Sequence, residues 1–179
     1  DTWNFAAVPG TGLVETNATL FMSGTKSLSF RSSTNAASSP SIEFNNVSML
    51  GYSNAQLSVA FAARGADSGD DLFLDVSYDN GSTWNGTGSV KLVDGFGNLN
   101  LDFGSAATTD RVPTASNPYV FSIPASETQL KIRLRAAVNT TNDFLFVDDI
   151  ALTGQGAAYL NAPVITITNP ASSTLSLPN

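Results

Sequence analysis

The groups able to do chemistry in this chain are carboxylates, hydroxyls and aromatic rings. Histidine and cysteine are absent from its 179 residues. Ser-His-Asp and Cys-His catalysis are thereby excluded, as is any zinc held by imidazole or thiolate. What remains is carboxylate, lysine or tyrosine chemistry, or a hard cation such as calcium. The three glutamates, Glu15, Glu43 and Glu127, stand apart, and none has a second acid placed for a paired hydrolytic role. The aspartates do cluster. "ADSGDD" holds Asp67, Asp70 and Asp71 among loop formers, without the spacing of an EF-hand loop, and a solvated turn is expected. "FLFVDDIALTG" sets Asp148 and Asp149 inside an apolar run. Alternation puts Asp148 on one face with Phe146 and Ile150, where a carboxylate is costly unless a partner or cation meets it.

A third group is "SYDNGSTW", Ser77 to Trp84. Asn80-Gly81 is a strong hairpin signal, because both residues tolerate positive φ. Asp79 can accept hydrogen bonds from N–H groups a few residues on, and Trp84 can fold its ring over the turn. Asp79, Gly81 and Trp84 are therefore given structural work, with a sugar stacked on Trp84 as the alternative. Other aromatic candidates for a binding platform are Trp3, Tyr52, Phe96 and Tyr119. Phe96, in the glycine-rich "DGFGN" loop, is expected to be exposed. Tyr119 shares a face with Phe121 and is expected to be buried.

These groups need elements to hold them, and the periodicity is two almost everywhere. "QLSVAFAAR" puts Leu57, Val59 and Phe61 on one face, and "DLFLDVSY" does the same for Leu72, Leu74, Val76 and Tyr78. In "QLKIRLRAAV", Leu130, Ile132 and Leu134 alternate with Lys131, Arg133 and Arg135, which are read as a solvated face or edge protection. "YVFSI" groups Tyr119, Phe121 and Ile123. "FLFVDDIAL" groups Phe144, Phe146, Ile150 and Leu152. Weaker strands are expected at Lys26–Arg31, Ser41–Phe44, Val90–Val93 and Leu99–Phe103, with turns at Ser39-Pro40, Gly65–Gly69, Asp94-Gly95 and Asn117-Pro118. No helical stripe competes. The pattern predicts an all-β, antiparallel two-sheet β-sandwich of 8–9 strands over residues 1–155. Residues 156–179, rich in Ser, Thr and Pro at their end, read as a linker or the start of a following β module.

Composition bounds the partners. Net charge is −7 with a pI near 4.2, which disfavours nucleic acid. No apolar run is long enough to span a bilayer. Low charge, abundant hydroxyls and no cysteine predict a secreted or cell-surface protein of bacterial type. The Asn-x-Ser/Thr sequons at Asn17, Asn46, Asn80, Asn85 and Asn139 are read as chance in so Asn- and Thr-rich a chain. The start at Asp1 reads as a mature end or an excised fragment.

"SYDNGSTW" matches the Asp-box and resembles hairpins of sialidases and of reelin-type subrepeats. Sialidase propellers repeat it; here it stands once, in a chain too short for a propeller. "SGTKSLSF" (Ser23–Phe30) resembles the "sGkySL" segment of jelly-roll carbohydrate-binding modules and bacterial cleaved-adhesin domains. "FLFVDDIALTG" resembles their last strand. The resemblance runs from about Trp3 to Gly154. It implies a calcium ion pinning the last strand to the N-terminal region, with Asp148, then Asp149, and from the opening segment Asp1, as ligands. The first-strand Phe-Glu pair of those families is missing. The Glu-x-Asp-x-x-Glu strand motif of laminarinase-like jelly-roll hydrolases is also missing. The functional expectation is a non-catalytic accessory module of a multidomain protein, binding polysaccharide or cell-surface glycan through Phe96, Tyr52 and Trp3. A purely structural or adhesive domain is the alternative, and a carboxylate-dependent glycoside hydrolase or lyase the third.

Overall fold

The computed structural model of the chain describes residues 5–8, 12–84, 89–105 and 116–156. In chain order the strands are β1 (Phe5–Val8), β2 (Leu13–Asn17), β3 (Ser27–Arg31), β4 (Ser41–Phe44), β5 (Val47–Ser48), β6 (Tyr52–Ala66), β7 (Asp71–Ser77), β8 (Val90–Asp94), β9 (Leu99–Leu101), β10 (Tyr119–Ser122), β11 (Gln129–Ala137) and β12 (Phe144–Gly156). No helix occurs among the described residues. Sheet A runs β1-β4-β11-β7-β8, with β5 also paired to β11. Sheet B runs β10-β6-β12-β3-β2, with β9 also paired to β6. All pairs are antiparallel, and the chain crosses repeatedly between the sheets. The expected all-β, two-sheet sandwich is what the chain forms, with more strands than alternation alone located.

Period two explains the packing. On β11, Leu130, Ile132 and Leu134 are fully buried while Lys131, Arg133 and Arg135 point out of the sandwich. Each buried aliphatic side chain contributes roughly 1.5–3 kcal/mol relative to an exposed one. Leu72, Leu74 and Val76 of β7 meet them, and Leu57, Val59, Phe61, Phe30, Leu145 and Val147 line the facing side of sheet B. Tyr119 and Phe121 of β10 share the face that packs against this core, as expected, but Tyr119 is half-buried where full burial was expected.

Three expectations change. Gly65 does not turn the chain: β6 continues through it to Ala66, with a register shift between Ala63 and Ala66 where β9 pairs. Gly65 takes φ +72, and a Cβ there would meet the Asn142 carbonyl at 2.9 Å. Second, β11 is an interior strand between β4 and β7, so its cations protect no edge. Third, the face of β12 is not constant. Leu145 and Val147 face the core, and Phe144 and Phe146 stack on the outer side with centroids 5.9 Å apart. A register shift between Asp148 and Ala151, with Asp149 at φ +44, then turns Ile150 and Leu152 back to the core. A bulge inserts one residue and so reverses the parity of everything after it.

One side chain completes the ladder. The Asn117 carboxamide accepts the Phe61 N–H at 3.1 Å and donates to the Phe61 carbonyl at 2.7 Å. It bonds β6 just beyond the point where β10, starting at Tyr119, takes over as partner.

Candidate functional site

The Ser77–Trp84 turn follows directly on β7. Asn80 and Gly81 take φ of 59° and 87°, the left-handed values expected of them. Ser77 receives the Gly81 N–H at 2.8 Å and donates its hydroxyl to Asp79 Oδ1 at 2.7 Å. Asp79 also accepts the Thr83 N–H at 2.8 Å and the Thr83 hydroxyl at 2.6 Å. These donors, the Thr83 hydroxyl foremost, hold the Asp79 carboxyl down at about 2. The carboxylate is occupied in holding the turn. Tyr78, beside it, packs on the core, and its buried hydroxyl has no hydrogen-bond partner. Burial first, then the Glu127 charge, pushes its phenol up to about 12.

Trp84 does not fold over the turn alone. It lies on the outer face of sheet A, with the Arg133 guanidinium 4.4 Å and the Lys131 ammonium 5.6 Å from its ring centroid. Phe73 of β7 repeats the arrangement, with Arg135 at 4.4 Å and Lys91 at 5.6 Å. Both rings are half-buried. Asp75, with no exposed surface, takes Arg133 at 2.8 Å and Arg135 at 3.1 Å, and also accepts the Ser89 hydroxyl. Burial opposes ionisation there, but the arginine and serine donors outweigh it and hold the carboxyl below its ordinary value. Glu43 takes Lys131 at 2.9 Å, and Lys91 bridges Asp71 and Asp94 at 3.0 and 2.8 Å. The cations read from sequence as solvated are thus paired across three neighbouring strands. Asp75, Phe73 and Glu43 carry no signal in isolation. Their roles appear only once β7, β11 and β4 lie side by side.

Asp148 and Asp149 tie the last strand to the Ser23–Phe30 segment and its flank. Asp148 Oδ2 accepts the N–H groups of Met22 at 2.8 Å and Ser23 at 3.3 Å, and Oδ1 accepts the Asp149 N–H at 2.8 Å. Asp149 Oδ1 accepts the Ser23 hydroxyl. Both oxygens of Asp148 therefore face N–H donors, which is how the outer-face carboxylate is accommodated. Asp1 lies outside the described residues.

The acidic turn between β6 and β7 is solvated only in part: Ser68 and Gly69 are exposed, and the Asp70 carboxylate behind them is not. Asp70 has no exposed surface and Asp143, just before β12, is 4% exposed. Asp67, Asp70 and Asp143 each offer an oxygen, and the three lie within 4.8 Å of one another. Asp70 accepts the N–H groups of Asp67 at 2.8 Å and Asn139 at 3.1 Å, and Asp143 accepts the Thr140 N–H at 3.0 Å. Burial, then the Asp143 and Asp67 charges, outweigh the Asp67 N–H and push the Asp70 carboxyl up to about 6. Gly95 makes the crowding possible: a Cβ there would stand 2.3 Å from the Asp67 carbonyl and 2.4 Å from that of Asp70. Crowded oxygens in a turn suit a hard cation. Asp143 was not singled out from the sequence, because it is distant along the chain from "ADSGDD".

The aromatic candidates do not converge. Tyr52 (40% exposed) opens β6, whereas Phe96 (57% exposed) precedes β9, which pairs with the far end of β6. Fifteen strand residues separate those ends by roughly 45 Å. Trp3 lies outside the described residues.

No family model matches the sequence, and no curated protein matches it. Among solved structures the chain is similar to TmCBM61 in complex with β-1,4-galactotriose, at 19% identity and a TM-score of 0.49, over 86% of this chain and 88% of that one. It is similar to a structure from a study of carbohydrate-binding modules of the β-sandwich superfamily, at 12% identity and a TM-score of 0.44, over 84% of this chain and 56% of that one. It is also similar to an exo-β-agarase, at 15% identity and a TM-score of 0.48, over 88% of this chain and 24% of that one. Ligand and activity do not transfer at such distances.

Proposed function

We propose that this chain is a non-catalytic, carbohydrate-binding accessory module of a secreted or cell-surface bacterial protein, working beside other domains of the same chain. The observation that carries the reading is the outer face of sheet A. Trp84 and Phe73 are half-exposed rings, each braced by a guanidinium from β11 at 4.4 Å. Sugar C–H faces pack on such rings, while neighbouring guanidinium and carboxylate groups hydrogen-bond the hydroxyls. Lys91, Lys131, Arg133 and Arg135 are all paired with carboxylates, so the face suits a neutral polysaccharide. The reading shifts the ligand from Phe96, Tyr52 and Trp3 to Trp84 and Phe73.

Two supports favour a non-catalytic role. Glu15 is paired with Arg31 and Glu43 with Lys131. The crowded acid group found among the described residues is bonded to main-chain N–H and has two buried members. Calcium belongs to the same proposal, as a structural ion between Asp67, Asp70 and Asp143, which each offer an oxygen within 4.8 Å of the others.

The second reading is a structural or adhesive domain. The dense pairing around Asp75 favours it, because such a network holds its side chains without a ligand. Affinity electrophoresis through a panel of neutral polysaccharides separates the two. Retardation on at least one, lost in Trp84→Ala while the thermal transition stays cooperative, supports glycan binding. Free migration of the folded wild type in every gel favours the structural domain.

A further inference from the structure

The bulge in β12 creates a feature that the sheet A face does not use. Beside it lies an open pocket of about 270 Å³ between β2, β3 and β12. Leu28, Val147 and Ile150 supply its apolar wall, and Thr16, Lys26 and Asp149 its polar rim. Val147 is buried, while the three rim residues are exposed.

We propose that this pocket binds one neutral sugar residue, a second carbohydrate subsite distinct from the sheet A face. The proposal rests on the carbohydrate-binding reading above. The volume falls just below the roughly 300–1,000 Å³ of pockets for drug-sized ligands, which suits a single sugar ring seated in its open mouth. The rim supplies both hydrogen-bonding senses that a diol needs. The Asp149 carboxylate accepts from two hydroxyls, and the Lys26 ammonium donates to hydroxyl oxygens. Lys26 is the cation that makes no ion pair among the described residues, so its donors are uncommitted. The less polar face of the ring rests on Leu28 and Ile150.

The backbone gives an independent reason. Asp149 holds φ +44 in the middle of a strand, a left-handed conformation that glycine takes without strain. A bulge needed only for shape would be better served by glycine. Strained positions of this kind gather at ligand sites, and bulges re-aim side chains there. Here the strain places a carboxylate on the rim, anchored by the Ser23 hydroxyl.

The test is a ¹⁵N–¹H chemical-shift titration of the folded protein with methyl glycosides of glucose, galactose and mannose. Saturable shifts at residues 16, 26–28 and 147–150, weakened about tenfold or more by Lys26→Ala, support the pocket. Asp149→Gly should raise the melting temperature yet lose the same shifts, which a purely structural Asp149 would not do. Shifts confined to Trp84, Arg133 and Phe73 overturn the pocket and leave the sheet A reading standing. Absence of shifts, combined with free migration in every polysaccharide gel, overturns both.

Discussion

The two turns that bracket β7 place aspartates under opposite forces. At one end Asp79 lies in an exposed turn with several donors and no acid against it, and its carboxyl is held at about 2. At the other, Asp70 also accepts two main-chain N–H groups, but it is buried beside Asp67 and Asp143 and rises to about 6. N–H donors alone therefore do not set a carboxylate's state. In the buried turn burial and like charge outweigh the N–H donors, and in the exposed turn the donors have no such opposition. The first turn is stable by its own bonds. The second is crowded in a way that a cation or a proton would relieve.

The largest test of this contrast is steric. Gly95→Ala drives a methyl group into the Asp67 and Asp70 carbonyls and should cost about 3 kcal/mol. Gly81→Ala meets mainly the mobile end of Lys131 and should cost about 1–2 kcal/mol, for its φ of +87°. Urea denaturation reads both, and equal costs would erase the difference between the turns.

Next comes the cation. Calcium at one hundred times its Kd should stabilise the fold by about 2.7 kcal/mol, and EDTA should reverse the gain. Asp143→Asn should abolish the response, and Asp148→Asn should keep it. A melting curve indifferent to both calcium and EDTA removes the ion from the crowded turn.

The smallest effects lie along the pH axis, measured in EDTA. The contribution of Asp79 is complete above its ordinary 3.8 and is lost as pH falls through about 2, so Asp79→Asn should flatten the acid limb. The contribution of Asp70 has the opposite sign. It is complete below 3.8 and is lost as pH rises through about 6, so Asp70→Asn should flatten the decline between about pH 4 and 6. Should both variants change the same limb, the two turns would be electrostatically alike.

How much of this was legible in the sequence depends on distance along the chain. Leu130, Ile132 and Leu134 announce β11 because alternation is local, and the same holds for Leu72, Leu74 and Val76 in β7. The turn at Asp79 was legible for the same reason, since all its donors lie within a few residues. β1, β2 and β5 were not, being short and weakly patterned. The parity of β12 was not, because an aspartate rather than a glycine occupies the left-handed position of its bulge. Pairings across the fold were hidden for a different reason. Asp75 meets Arg133 and Arg135, and Asp143 meets Asp70, only through the registers of strands far apart in sequence. Asp148 was placed correctly beside Phe146 and across from the Ser23–Phe30 segment. That its partners there are N–H groups follows from the path of a loop, which no periodicity encodes.

The carboxamide of Asn117 bears on how the molecule ages. Deamidation begins when the nitrogen of the next residue attacks the side-chain amide, and Asn117 is followed by Pro118, whose nitrogen carries no hydrogen. The amide that bonds both the N–H and the carbonyl of Phe61 is therefore chemically durable. Were it to become a carboxylate, its donor to Phe61 would be lost at a buried position on β6. Asn80, followed by Gly81 at an exposed turn, has no such protection. Among the described residues, then, the Asn-Gly step open to this wear is at the tip of the Asp79 turn, and the seam between Asn117 and Phe61 is spared.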